Sequence, residues 1–94
     1  MINIAICDDD IQTTGRMEMM IEKIAKRNFI DSDIDVFWNG ETLVDAVAKG
    51  VKFDIIYLDI EMDGEDGISA AKKIRGFDKN VLIIYVTSHE SHMK

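Results

Sequence analysis

Residues 58–67 read LDIEMDGEDG: five acidic side chains and two glycines in ten positions. Taken alone, the stretch is a calcium loop, an acidic surface turn, or a place where chemistry is done. Its flanks narrow the choice. Before it, FDIIYL (residues 53–58) is almost continuously apolar, the pattern of a strand buried on both faces. After it, GISAAKKIRG (residues 67–76) puts Ile68, Ala71 and Ile74 on one helical face. The stretch is therefore a strand-to-helix loop, with Asp59 ending the strand and Gly67 turning the chain into the helix.

The same alternation runs along the whole chain. INIAIC (residues 2–7) is a short apolar strand, and a long amphipathic segment follows it. In that segment Ile11, Met17, Met20, Ile21, Ile24 and Ala25 share a face, and Asp9 or Asp10 can cap its start. DIDVFW (residues 33–38) alternates Ile34 and Val36 with Asp33 and Asp35, which suits a half-exposed edge strand. NGETLVDAVAKG (residues 39–50) is a short helix started by Asn39 or Gly40 and stopped by Gly50. VLIIYVT (residues 81–87) is a fourth strand, the most apolar of all. The order β-α-β-α-β-α-β predicts a parallel sheet joined by right-handed crossovers, with helices on both faces. A flavodoxin-like three-layer α/β/α arrangement with strand order 2-1-3-4 is one fold of this kind, and the one expected here.

Composition limits the function. The chain has 94 residues, 47% of them hydrophobic, so it is one small globular domain spanning residues 1–94. A net charge of −7 repels nucleic acid and anionic lipid, so direct nucleic-acid binding by this segment is not expected. Cys7 is the single cysteine, set in an apolar strand, and reads as an inert core thiol in a reducing compartment. No leader pattern and no run near the roughly 20 apolar residues of a membrane span is present, so the chain reads as cytoplasmic, without a membrane partner.

In an open parallel sheet, ligands sit at the carboxyl ends of the strands, where strand order reverses. Asp8 and Asp9 follow the first strand and Asp59 ends the third. With order 2-1-3-4 those strands are neighbours, and three carboxylates converge. Like charges about 4 Å apart repel by about 4 kcal/mol at an effective dielectric near 20. Either a pKa rises or a cation arrives, and hard oxygen ligands suit Mg²⁺ or Mn²⁺. Thr87, ending the fourth strand, adds a hydroxyl at the same edge. Each aspartate alone is an ordinary turn residue or helix cap. Three acids and a threonine at the ends of three core strands favour a phosphoryl-handling site.

IAICDDD, FDIIYLDIEMDGEDGISAAKKIR and VLIIYVTSH, in that order and spacing, resemble the receiver domains of two-component response regulators, the CheY-like domains. The flavour is that of receivers preceding LytTR-type DNA-binding domains. The resemblance implies a signalling domain rather than an enzyme, capable at most of self-catalysed phosphotransfer and autodephosphorylation. It would take a phosphoryl group from a sensor histidine kinase and control an effector domain, with a transcriptional output. By the same resemblance Asp59 is the phosphoacceptor. Asp8, Asp9, Asp59 and the backbone carbonyl of Glu61 hold the metal, Thr87 binds the phosphoryl group and switches rotamer, and Glu61 and His89 tune phosphate lifetime.

Two departures from the family pattern stand out. Met62 is followed by Asp63 where proline is usual, which alters loop stiffness rather than chemistry. The family's fifth strand, its phosphoryl-pairing lysine and its fifth helix have no counterpart; Lys94 is not that lysine. The chain is thus expected to be an N-terminal piece of a longer regulator. Its fourth strand would then be an exposed apolar edge that invites self-association or lowers stability, and its phosphotransfer would be impaired.

Two other readings compete. DIEMDGEDGISA places Asp59, Glu61 and Asp63 at positions one, three and five of a calcium loop, with Gly64 at six. Position twelve is Ala70, however, where a bidentate glutamate is needed, and the preceding element is a strand. DDDIQT suggests an aspartyl-nucleophile phosphatase built on Asp8, but the threonine comes one residue late and the chain is short for that fold. HESH spaces His89 and His92 three apart, where a zinc-protease helix needs four.

Overall fold

The computed structural model describes residues 1–87. Four strands, β1 (Ile2–Cys7), β2 (Ser32–Phe37), β3 (Ile55–Asp59) and β4 (Leu82–Val86), alternate with three helices, α1 (Ile11–Arg27), α2 (Gly40–Ala48) and α3 (Gly67–Phe77). All strand pairs are parallel and the order is β2-β1-β3-β4, as the sequence predicts. β1 matches its apolar run, β2 is shifted by one residue, β3 starts two residues after Phe53, and β4 omits one residue at each end of the run 81–87.

Local chemistry explains the helix ends. Asp10 caps α1 by accepting from the Gln12 N–H at 3.2 Å, Asn39 caps α2 through the Thr42 N–H at 2.8 Å, and Asp66 caps α3 through the Ser69 N–H at 2.8 Å. Gly50 follows α2 with φ 103°, a left-handed residue that terminates the helix. At the end of α1 the equivalent left-handed residue is Phe29, with φ 56°, while the Ile30 N–H closes the helix on Ala25 O at 2.8 Å.

Strand alternation sorts the sheet into two faces. Ala5, Cys7, Ile56 and Leu58 point to one face and pack with Leu43 and Val47 of α2 and Ala70, Ala71 and Ile74 of α3. Ile4 and Ile6 are buried on the other face, where α1 packs on β1 and β2. That second cover is partial. Across the register Ile4↔Ile55↔Leu82, burial falls from 6% exposed at Ile4 to 54% exposed at Leu82. This corrects the expected α1 stripe: Ala25 is buried and Met17 and Ile21 are half-buried, but Ile11, Met20 and Ile24 are exposed. A helix lying on a sheet buries only the residues turned toward β1 and β2; those on its flanks need a further packed element, and none covers them among the described residues. On α3 the buried face is Gly67, Ala70, Ala71 and Ile74, and Ile68 is exposed. No described helix is long and apolar enough to cross a membrane.

Candidate functional site

The carboxyl ends of β1 and β3 lie side by side, paired through Cys7↔Leu58. One residue further, Asp8 and Asp59 are almost fully buried, 1% and 2% exposed, while Asp9 is exposed. Carboxylate oxygens of Asp8, Asp9 and Asp59 all lie within 4.8 Å of one another. The cluster expected from spacing therefore forms, and the topology forms it: β1 and β3 are neighbours only because the chain crosses over from β2.

Backbone amides orient the acids. The Asp10 N–H donates to Asp8 Oδ1 at 2.9 Å, and the Glu61 N–H donates to Asp59 Oδ1 at 3.0 Å. Asp9 Oδ2 accepts from the Asp63 N–H at 3.3 Å, which ties the β3–α3 loop to the end of β1. The Asp8 N–H still donates to Phe37 O of β2 at 3.1 Å, so Asp8 is fixed by the sheet itself. These three amide donors escape a reading that looks only for side chains. The signal that could reveal two of them is an acid two residues before a loop amide, the spacing of an Asx turn.

The electrostatics are unfavourable without a cation. Burial pushes the Asp8 carboxyl above its ordinary pKa; the Asp10 N–H opposes this, and the charges of Asp59 and Asp9 add to it. Asp8 Oδ2 is buried and has no hydrogen-bond partner among the described residues. A buried, unpartnered carboxylate oxygen beside two further carboxylates is a donor set for a small hard cation that keeps part of its water shell. The residues fit Mg²⁺ or Mn²⁺. Cys7, directly beneath, is not a ligand candidate. Burial first, then the charges of Asp8, Asp59 and Asp9, push its thiol up to about 12, and its Sγ rests 3.8 Å from Met62 Sδ.

The other candidates are placed as follows. Thr87 directly follows Val86, the register partner of Asp59, and is exposed at the same sheet edge. Glu61 is exposed and takes part in the site through its N–H. His89, and with it the HESH segment, lies outside the described residues. The calcium-loop alternative meets a strand at its start and a buried Ala70, 0% exposed, at its twelfth position. Asp59, its first position, is gathered with Asp8 and Asp9 instead.

Comparison with known proteins points to one family. The sensory transduction protein LytT of Oceanobacillus iheyensis is 49% identical over 56 residues, covering 57% of this chain and 22% of that protein. The two-component response regulator ARR22 of Arabidopsis thaliana is 35% identical over 89 residues, covering 94% of this chain and 58% of that protein. The chain thus spans only part of these relatives' length. Among solved structures, the receiver domain of the histidine kinase CKI1 from Arabidopsis thaliana, itself complexed with Mg²⁺ and BeF₃⁻, superposes with a TM-score of 0.80. It has 21% identity, with 93% of this chain and 66% of that one covered, and so bears on the fold alone. The model of the family described as "Response regulator receiver domain" matches residues 4–94. With the fold, the strand order and a near-complete family match in agreement, this chain belongs to the response regulator receiver domains of two-component systems.

Proposed function

We propose that Asp59 accepts a phosphoryl group from a phosphohistidine on a sensor histidine kinase. Asp8, Asp9, Asp59 and the Glu61 carbonyl would hold Mg²⁺ or Mn²⁺ for this transfer. The observation that carries the reading is the convergence of three carboxylates within 4.8 Å, one with a buried and unpartnered oxygen. An Asp59 oxygen forms a bond to phosphorus while the phosphorus–nitrogen bond of the donor breaks, and the imidazole leaves with the electron pair. The ion supplies positive charge against the phosphoryl oxygens and the clustered acids.

The chain's own groups do the rest. The Glu61 N–H fixes the Asp59 carboxylate, Asp8 and Asp9 are set by the Asp10 and Asp63 amides, and Thr87 offers a hydroxyl to a phosphoryl oxygen. Glu61 and His89 tune how long the phosphoryl group persists. The domain, residues 1–94, acts in the cytoplasm as a signalling unit whose phosphorylation controls an effector domain of the parent protein. The output proposed is transcriptional; the likeness to the sensory transduction protein LytT supports a signalling role. Trapping of BeF₃⁻ with Mg²⁺ by the CKI1 receiver domain supports the same chemistry for a site of this shape.

The test is incubation of the full-length parent with acetyl phosphate and Mg²⁺, followed by intact-mass analysis. One added phosphoryl group, absent in Asp59→Asn and absent with EDTA, is the expected result. Lack of any Asp59-dependent adduct in the parent sinks the reading.

A further inference from the structure

Gly67 opens α3, yet it sits against β3. A Cβ at this position would fall on the Asp59 carbonyl oxygen, and would lie 2.7 Å from Ile60 Cα and 2.9 Å from the Asp59 carbonyl carbon. All three are backbone atoms, so no rotamer change makes room. The Gly67 N–H donates to Ile60 O at 3.2 Å and locks the two segments together.

A contact at Ile60 reaches the Asp59 carboxylate through one further link. Ile60 lies between Asp59 and Glu61, and the Glu61 N–H holds Asp59 Oδ1 at 3.0 Å. Where Ile60 Cα sits decides where that N–H points. If a side chain were forced in at Gly67, either α3 or the end of β3 would have to move. α3 is anchored by Ala70 and Ile74, both 0% exposed, and by Ala71 at 3%. In an interior packed at crystal-like density such an anchor resists displacement. Beyond Asp59 the chain is already a loop, with the Ile60 N–H to Val86 O contact, 3.1 Å, tying it to β4. The strand end is the softer side.

We infer that Gly67 is a positioning residue for the phosphoacceptor: its missing side chain sets the seat of the Asp59–Ile60 peptide and so the orientation of the Asp59 carboxylate. The inference rests on the reading of Asp59 given above, and extends it to a residue that touches neither metal nor phosphoryl group. In Gly67→Ala the end of β3 yields, the Glu61 N–H leaves Asp59 Oδ1, and the fold persists.

The experiment uses Gly67→Ala alone and in a Phe29→Gly background, which relieves a left-handed residue between α1 and β2, away from the site. Gly76→Ala is the control, because a Cβ there meets nothing within 4 Å. Three quantities are read: the thermal transition, the Glu61 amide chemical shift and Mg²⁺ affinity by titration. Gly67→Ala is expected to melt cooperatively, with the Glu61 amide shifted toward its solvent-exposed value. Its Mg²⁺ dissociation constant is expected to rise about 10- to 100-fold, as for lost outer-shell support of a metal site. A folded Gly67→Ala with unchanged Glu61 shift and Mg²⁺ affinity overturns the inference. So does loss of folding in both backgrounds, because the helix would then be the side that yields. If the unaltered protein takes up no Mg²⁺ and no phosphoryl group while the Glu61 amide still moves in Gly67→Ala, the phosphoacceptor reading fails and the positioning role stands.

Discussion

Asp59→Asn should stabilise the metal-free protein while abolishing phosphorylation. Asp59 is 2% exposed and one of its carboxylate oxygens lies within 4.8 Å of one on Asp8 and one on Asp9. At an effective dielectric of about 20, two charges at that separation repel by about 3.5 kcal/mol. Salt screening and the exposure of Asp9 reduce this, leaving a net gain of about 1–3 kcal/mol. Asparagine keeps an oxygen for the Glu61 N–H, so the turn survives. The assay is urea unfolding at neutral pH in EDTA and again in excess Mg²⁺. In EDTA the midpoint should rise; in Mg²⁺ the advantage should shrink or reverse, because the native protein is then stabilised by ion binding that the variant has weakened. Acid should shrink it too. Burial raises the folded-state pKa of Asp8 above its ordinary value of 3.8, so folding favours its protonated form. Stability contributed by that proton is fully present below about 3.8 and is lost as pH rises through the higher folded value. Below that window Asp8 is neutral, so removing the Asp59 charge relieves less repulsion. An Asp59→Asn protein that is equal to or less stable than the parent in EDTA at neutral pH refutes the electrostatic argument.

The other predictions concern the scaffold. Phe29→Gly should stabilise the protein by about 1 kcal/mol, because glycine adopts a left-handed backbone such as φ 56° without the cost a side chain incurs there. For a domain of this size that is a rise of about 4–8 °C in Tm, measurable by circular dichroism; a lower Tm would show that the phenyl ring makes a contribution larger than the strain. Lysine at Leu82 or Tyr85, 54% and 50% exposed on the edge strand β4, should suppress any concentration-dependent association of the chain. Sedimentation velocity tests this, and a parent chain that stays monomeric over the whole concentration range removes the edge as an association surface.

Much of this fold is written in period and punctuation. Short apolar runs ending at Cys7 and Asp59, separated by amphipathic segments with capping residues, fix strand and helix order. The parallel order then places the acids. What could not be read is which residues of a stripe end up covered. Met20 and Ile24 carry the same helical signal as Ala25, yet they are 60% and 52% exposed while Ala25 is 7%. Periodicity reports that a face exists, but how much of it is covered depends on how many elements pack around the helix. The two edge strands show the converse. β2 presents exposed Asp33 and Asp35, charges that discourage further pairing, whereas the β4 run LIIYV has none. That difference is visible in sequence, but it acquires meaning only once both strands are known to be edges.

The acidic residues of the site divide by what part of them is used. Asp8 and Asp59 are each held through one oxygen by the N–H two positions on, from Asp10 and Glu61. In that role the side chains of Asp10 and Glu61 are irrelevant: any residue with an amide proton could serve, and proline alone could not. Asp63 acts on Asp9 through its backbone N–H in the same way. Proline at position 63, the residue type the family usually carries after the methionine, would remove this donor. The Met62-Asp63 departure therefore adds an amide tether between the β3–α3 loop and Asp9, besides altering the stiffness of the loop. A proposed metal ligand is thus coupled to the loop that leads into α3, and Asp63→Pro should loosen the Asp9 carboxylate. Mg²⁺ titration of that variant reads the coupling directly. An affinity equal to the parent's would mean that the 3.3 Å contact orients nothing; a weaker affinity with an unchanged fold would assign the amide of Asp63 the same orienting role on Asp9 that the amide of Glu61 has on Asp59.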